Sequence, residues 1–110
     1  MILLRPNFED ICRRYGLKIE SVYGEKIKAT IDDLTVATWE LLDVLVIPKF
    51  FISKGLYVDK IYAENSYRKM IVCYTTDQLE ENIECLLKQY KQLCMKLRKL
   101  NLDKDFLGII

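Results

Sequence analysis

The sequence contains no histidine. This absence excludes histidine-ligated metal sites, Ser-His-Asp and Cys-His catalysis, and the usual proton shuttle of near-neutral pH. The four cysteines (Cys12, Cys73, Cys85 and Cys94) form no C-x-x-C pair of the kind that closely spaced zinc sites use. We therefore expect buried, inert thiols rather than a four-thiolate zinc site, and we predict no metal and no cofactor. Disulfides remain the alternative for a thermophile, a source that the richness in Ile, Leu, Lys and Glu favours.

Long apolar runs are missing as well. The most apolar stretch, residues 34–51, is interrupted by Glu40, Asp43, Pro48 and Lys49, which makes it too polar to span a membrane. No signal peptide precedes it, so we expect one intracellular, cytoplasmic domain covering residues 1–110. The 17 Lys and Arg residues nearly balance the 16 Asp and Glu residues, and the net charge therefore does not favour nucleic acid or anionic membranes.

The strongest pattern that is present runs from Thr75 to Asn101. Its apolar side chains recur at alternating spacings of four and three, which predicts a helix with one apolar stripe. The stripe consists of Leu79, Ile83, Leu86, Tyr90, Leu93, Leu97 and Leu100. Two pairs, Thr75 with Gln78 and Asp77 with Glu80, have the types and spacing of a helix-capping pair, and either can mark the start of the helix. Acidic residues fill the first half of the helix and basic residues the second, so the side-chain charges oppose the helix macrodipole.

The predicted helix is longer than a globule of this size needs. Its length is about 39 Å, whereas the radius of gyration of such a globule is about 13 Å. We therefore predict an overhang whose apolar stripe forms a homodimer interface, because exposed apolar surface favours a partner. An antiparallel arrangement would place Glu80, Glu81 and Glu84 of one copy near the basic residues Lys91, Lys96 and Arg98 of the other. The alternative is a helix absorbed entirely by its own sheet.

Ahead of this helix the pattern changes from helical to alternating and back. A short helix between Pro6 and Gly16 leads into a β-hairpin over residues 17–31, where polar and apolar side chains alternate. Asp32 and Asp33 have the residue type of a helix N-cap. The apolar residues after them predict a second helix that runs to about Ile47.

The next segment predicts one or two helical turns over residues 48–54 and a second hairpin over residues 56–64 and 67–74. The resulting fold class is α+β, a two-layer sandwich in which two long helices cover one face of a four-stranded antiparallel sheet. The apolar end of the chain, residues 101–110, is expected to dock onto the body or onto a partner.

The two predicted hairpins resemble each other. Gly-Leu-x-Ile-Glu-x-Val-Tyr-Gly-Glu at residues 16–25 matches Gly-Leu-x-Val-Asp-x-Ile-Tyr-Ala-Glu at residues 55–64. This similarity predicts an internal αββα duplication with units at residues 6–46 and 47–101. The alternative is that any two hairpins entered through glycine and left through a Thr/Asp cap look alike.

One basic patch is present despite the balanced net charge. It consists of Lys88, Lys91, Lys96, Arg98 and Lys99, near the end of the last helix. The patch is either a solvated helix end that compensates the dipole or a surface that contacts phosphates, with Tyr57, Tyr62 or Tyr67 stacking on bases. Arg13 and Arg14 would extend it if they fold nearby. A nucleic-acid-binding regulator is therefore the alternative function.

Glu40 and Asp43, one turn apart on the predicted second helix, are the best acid pair for acid–base chemistry or a divalent ion. No Gly-rich phosphate loop, nucleophile elbow or metal motif accompanies them. The sequence therefore favours a non-enzymatic binding or assembly module that self-associates through its long C-terminal helix. A different protein partner could use the same stripe, and membrane binding is not predicted.

Overall fold

The predicted α+β class is confirmed, with the strands divided between two sheets. The computed structural model describes residues 4–22, 26–40, 43–55, 59–64 and 66–109, without the side chains of Tyr67 and of residues 102–109. In chain order the elements are α1 (Arg5–Arg14), β1 (Lys18–Ser21), β2 (Ile27–Ile31), β3 (Leu34–Glu40), β4 (Asp43–Val46), β5 (Phe50–Ser53), β6 (Lys60–Ala63), a 3-10 helix (Tyr67–Lys69), β7 (Ile71–Cys73) and α2 (Thr76–Ile109). The main sheet is antiparallel in the order β1-β2-β3-β4-β7, and β5 and β6 form a two-stranded sheet, here called the β5–β6 ribbon.

The first part of the chain folds as its pattern predicts. α1 ends at Gly16, whose φ of 79° is the left-handed conformation that glycine adopts without strain. The amide of Leu17 then donates to the Cys12 carbonyl at 2.9 Å, which closes a Schellman-type helix end. β1 and β2 pair as the predicted hairpin, from Lys18 opposite Thr30 to Ser21 opposite Ile27.

The predicted second helix is wrong, because residues 34–40 form β3 and residues 43–46 form β4. Asp32 and Asp33 have φ angles of 47° and 67°, the left-handed conformation of a two-residue hairpin turn between the paired residues Ile31 and Leu34. Aspartate therefore serves a tight turn here and not a helix cap. The four central residues of β3, 36–39, are all buried, which explains why this strand lacks an alternating pattern.

The second predicted hairpin is also wrong. β6 pairs with β5, so the segment 48–54 contains a strand where helical turns were predicted, and residues 56–58 lie outside the described residues. β7 instead joins the edge of the main sheet beside β4. A five-stranded sheet and a ribbon thus replace the predicted four-stranded sheet, and α1, with 10 residues, is not a second long helix.

The order of elements does not match the predicted duplication. Residues 6–46 contain most of α1 and then four strands, whereas residues 47–101 contain the ribbon, the 3-10 helix, one edge strand and most of α2. The two similar segments also pair differently, since β1 pairs with the strand that follows it and β6 with the strand that precedes it. The alternative reading, a local likeness of two segments entered through glycine, fits this topology.

α2 begins with the first of the two predicted capping pairs. The Gln78 amide donates to Thr75 Oγ1 at 3.2 Å, and the Thr75 amide donates to Gln78 Oε1 at 3.3 Å. The helix continues beyond the predicted end at Asn101 for a total of 34 residues, or about 51 Å. Docking of the segment 101–110 concerns mainly side chains outside the described residues and stays a prediction. No helix in the described ranges has both the length and the apolarity needed to cross a membrane.

Both helices contribute to one hydrophobic core with the main sheet. Phe8 of α1, Val36 of β3, and Leu79 and Ile83 of α2 are among its fully buried side chains. The molecule is nevertheless elongated, with extents of 56, 26 and 23 Å and a Cα radius of gyration of 15.9 Å. α2 is nearly as long as the longest of these extents.

Candidate functional site

The apolar stripe of α2 divides into two parts. In the proximal half, residues 76–87, Leu79, Ile83 and Leu86 are buried in the core of their own chain. These three predicted interface residues therefore pack against residues of their own chain, which leaves little of their side chains for a partner to contact. In the distal half, residues 88–101, the other four predicted interface residues are only partly buried; they are Tyr90, Leu93, Leu97 and Leu100. The distal half therefore retains apolar surface that a partner can cover.

The β5–β6 ribbon packs on this distal half and is attached to it by polar contacts. The Phe50 amide donates to Gln89 Oε1 at 2.7 Å, and the Phe50 and Tyr90 rings lie 5.0 Å apart between centroids. At the other end of the ribbon, Asn101 accepts a hydrogen bond from the Asp59 amide at 2.9 Å and donates one to the Asp59 carbonyl at 3.3 Å. These contacts hold the ribbon at a fixed position along the helix.

Two grooves flank the ribbon where it meets α2. The larger, of about 480 Å³, is lined by Asp32, Leu34, Asp59, Lys60, Ile61, Tyr62, Tyr90, Cys94, Leu97 and Asn101. In it the Tyr90 hydroxyl donates to Asp32 Oδ2 at 2.5 Å. Burial first, and then this hydrogen bond, raise the pKa of Tyr90. The smaller groove, of about 320 Å³, is lined by Ile52, Lys54, Asp59, Lys96 and Leu100. Leu97 and Leu100 thus border open space on two sides of the ribbon.

The predicted basic patch lies on the exposed side of the distal half. All five of its members, Lys88, Lys91, Lys96, Arg98 and Lys99, are exposed, and none makes an ion pair with another described residue. Arg14 does not extend the patch, because it bonds Glu80 at 2.6 Å in the proximal half. The neighbouring Tyr15 likewise donates to Glu84 at 2.6 Å. The C-terminal end of α1 therefore contacts the acidic half of α2 through Glu80 and Glu84.

Charge is unevenly distributed between two parts of the sequence. The ribbon segment, residues 49–64, and the distal half of α2 together contain eight Lys and Arg residues and two carboxylates, Asp59 and Glu64. The remaining residues contain nine Lys and Arg against fourteen Asp and Glu. The small net charge of the chain therefore conceals two basic segments, residues 49–64 and 88–101, here called the basic lobe, while the rest of the sequence is acidic in sum.

Glu40 and Asp43 are not one helical turn apart. They face each other across β3 and β4, next to the connection between these strands. Glu40 is half-buried with its Oε2 3.8 Å from Lys26 Nζ, and Asp43 is exposed. Within the described ranges there is no group of three or more residues able to ligate a metal. The predicted acid pair thus belongs to a surface hairpin, in which Glu40 is paired with Lys26.

The main sheet has a second face, opposite the hydrophobic core, and the side chains on it are polar and form ion pairs. Glu20 lies between Lys18 and Lys28, each with Nζ 3.4 Å from a carboxylate oxygen. Hydrogen bonds from Lys18 and then Lys28 hold the pKa of Glu20 below its usual range. A cavity of about 310 Å³ opens on this face; its lining residues are Val22, Lys26, Lys28, Thr35, Thr38, Glu40, Ile47 and Met70. Since both lining lysines already have carboxylate partners, no unbalanced charge is left there to select a ligand.

The four cysteines form no disulfide with one another. Burial raises the pKa of Cys12 to about 12 and also raises that of Cys73. These two thiols are buried, as predicted. Cys85 is exposed and Cys94 is partly exposed, so the prediction of burial is wrong for Cys85.

Two exposed apolar features escape the sequence patterns. Phe51 and Tyr62 face each other across the ribbon, and Ile71, Val72 and Tyr74 are exposed at the β7 edge of the main sheet. The ribbon pair has no recognisable signal, because Phe50, Phe51 and Ile52 are all apolar and give no period of two. Of the tyrosines predicted to stack on bases, Tyr62 is exposed, whereas Tyr57 and the side chain of Tyr67 lie outside the described part of the chain.

Comparison with known proteins gives no relative, since no family model, curated protein or solved structure matches this chain.

Proposed function

We propose that this protein is a small, non-enzymatic binding and assembly module that forms a homodimer through the distal half of α2. The observation that supports it best is the partial burial of Tyr90, Leu93, Leu97 and Leu100 on a helix of about 51 Å. A chain of 110 residues has an expected radius of gyration of about 13 Å, and the observed value of 15.9 Å reflects this projection. The ribbon covers one side of the stripe, and the second copy covers the rest.

The charges of α2 favour an antiparallel arrangement of the two copies. The exposed carboxylates Asp77, Glu81 and Glu84 lie in the proximal half, and the exposed lysines lie in the distal half. A two-fold axis near residues 88 and 89, where the two halves meet, brings the acidic half of each helix beside the basic half of the other, with Glu81 of one copy near Lys96 of its mate. A parallel pair would instead place like charges together, which disfavours it.

The test is the mass of the particle in solution, measured by size-exclusion chromatography with multi-angle light scattering. We expect about 26 kDa, twice the 13.0 kDa of one chain. Leu93→Glu should give a particle of one chain with an unchanged circular dichroism spectrum, because it introduces a charge at the dimer contact. A wild-type particle of one chain over the whole accessible concentration range contradicts the proposal.

Val72→Glu is the matched control. Val72 is 38% exposed, but it lies on β7, away from the proposed contact. It should leave the dimer intact. A dimer that Val72→Glu dissociates and Leu93→Glu does not would be joined through the β7 edge.

A charge swap tests the antiparallel arrangement without touching the apolar stripe. Glu81→Lys and Lys96→Glu should each weaken the dimer, since each places like charges beside the mate. The double variant should recover much of the lost affinity, because both contacts are restored with inverted sign. Equal weakening in the single and double variants would contradict this arrangement.

A further inference from the structure

The outward face of the β5–β6 ribbon carries an exposed pair of aromatic rings. Phe51 and Tyr62 are 39% and 44% exposed, and their ring centroids lie 6.0 Å apart with 28° between the ring planes. Their neighbours Phe50 and Ile61 are directed to the opposite face and are 2% and 9% exposed. The strand alternation therefore fixes two large rings on one face of the ribbon, opposite the face that carries Phe50 and Ile61.

Lysines lie on both sides of this aromatic pair. Lys60, opposite Ser53, shares the face with Tyr62, and Lys49 shares it with Phe51, because residues two apart on a strand point the same way. Along the strands, each lysine is about 7 Å from the aromatic residue two positions away. Both lysines are exposed, and neither makes an ion pair with another described residue. Glu64, partly buried, is the carboxylate on this face within the described ribbon.

The surroundings of the pair are basic as well. The ribbon belongs to the basic lobe, in which eight Lys and Arg residues accompany two carboxylates. One of these carboxylates, on Asp59, is buried. A polyanion that approaches the molecule is therefore attracted to this lobe and repelled by the rest of the chain, which is acidic in sum.

We propose that the outward face of the ribbon binds a single-stranded polynucleotide. Bases stack on the Phe51 and Tyr62 rings, and Lys49 and Lys60 contact the phosphates on either side. Exposed rings between cations are the combination that single-stranded nucleic acids require, and stacking of this kind tolerates any base. The site is built from the ribbon and adjoins the proposed dimer contact, since Lys60 and Tyr62 also line the groove that Tyr90 and Leu97 of α2 border.

The test uses fluorescence anisotropy with fluorescein-labelled twelve-nucleotide oligothymidylate and oligouridylate at low salt. The double variant Phe51→Ala/Tyr62→Ala should raise Kd at least about tenfold for the oligonucleotide that binds. Tyr74→Ala is the matched control, since Tyr74 is a 70% exposed aromatic residue outside the ribbon, and it should leave Kd unchanged. Tighter binding of the uridylate assigns RNA, tighter binding of the thymidylate assigns DNA, and both support the site.

The lysines have their own readout. Lys49→Gln/Lys60→Gln should lower the slope of log Kd against log salt by about 1.4, because each single-strand phosphate contact contributes about 0.7. Lys69→Gln, an exposed lysine on the 3-10 helix, should not change the slope.

Three outcomes overturn the proposal. One is the absence of binding to either oligonucleotide at low salt. Another is an unchanged Kd in the aromatic double variant when its circular dichroism and urea midpoint match those of the wild type. The third is loss of binding in Lys91→Gln/Lys99→Gln alone, which places the polyanion on α2. The monomeric Leu93→Glu variant should retain its affinity, so failure of the dimer and failure of this site are distinguishable.

Discussion

Replacing Leu79 by alanine should cost far more stability than the same replacement of Leu97. The Leu79 side chain is 0% exposed and packs within the core between α2 and the sheet. Removing a fully buried leucine side chain loses about 3–4 kcal/mol, from lost transfer free energy and the cavity left behind. Leu97 is partly buried and borders the groove of about 480 Å³. It has fewer neighbours to lose, and we expect a loss of about 1 kcal/mol in the monomer.

The assay is urea-induced unfolding followed by circular dichroism and by the fluorescence of Trp39, the single tryptophan. The total stability of a domain is about 5–15 kcal/mol. At the upper end of this range the Leu79→Ala variant still folds, and at the lower end it comes close to unfolding. Leu79→Met is therefore the control, because a volume-conserving change costs less than about 1.5 kcal/mol. The Leu97→Ala loss should grow with protein concentration under the proposed homodimer, since association of folded chains would stabilise the folded state. Equal losses for Leu79→Ala and Leu97→Ala at low concentration would refute the division of α2 into a buried and a half-buried part.

Three further predictions concern polar groups and a thiol. Asn101→Leu should lower the free energy of unfolding by about 1–3 kcal/mol and speed hydrogen exchange at the Asp59 amide, which loses its acceptor. Thr75→Val should cost about 1 kcal/mol in urea unfolding by removing the acceptor for the Gln78 amide, and Thr75→Ser should not. Folding raises the Cys12 pKa from 9.0 to about 12. The neutral thiol therefore contributes fully to the free energy of unfolding below pH 9.0, and this contribution falls as the pH rises from there. Relative to Cys12→Ala, the wild type should lose up to about 1.4 kcal/mol per pH unit above 9.0, measured by urea unfolding at increasing pH.

The elements that are predicted correctly from the sequence are those specified by residues close to one another along the chain. The Thr75 and Gln78 cap, the glycine stop at Gly16 and the alternation of β1 and β2 each depend on neighbours within a few residues. These signals persist whatever the rest of the chain does. The distal stripe and basic patch of α2 are readable for the same reason, because helical spacing places their members side by side.

The elements that sequence patterns misplace depend on distant partners. An apolar run such as β3 is the same in a buried strand and a buried helix, and only the pairing with β2 and β4 decides between them. Aspartate at positions 32 and 33 fits both a helix cap and a left-handed turn. The partner of β7 is β4, across the intervening ribbon, and no local signal indicates that pairing.

The exposed aromatic pair could not be found from the sequence for a related reason. Phe51 and Tyr62 meet only because β5 and β6 pair in one register, and a slip of β6 by one residue would turn Tyr62 to the opposite face of the ribbon. The basic lobe depends on the same docking, since its two segments are separated along the chain. The candidate nucleic-acid site is therefore a product of tertiary structure, whereas the stripe and the patch on α2 are not.

The position of α2 after all the strands has a consequence for synthesis on the ribosome. The apolar face of the main sheet, with Val36, Trp39 and Val44, is complete in the nascent chain before Leu79 and Ile83, which cover it, have left the exit tunnel. At about 5–20 residues per second, translation of the 34 residues of α2 takes about 2–7 s. During this interval α1 and the β5–β6 ribbon are available to cover the sheet, but α2 is not. The nascent chain is therefore most exposed to proteases and to aggregation just before its last helix emerges, and a chaperone that recognises apolar strands would act at that point.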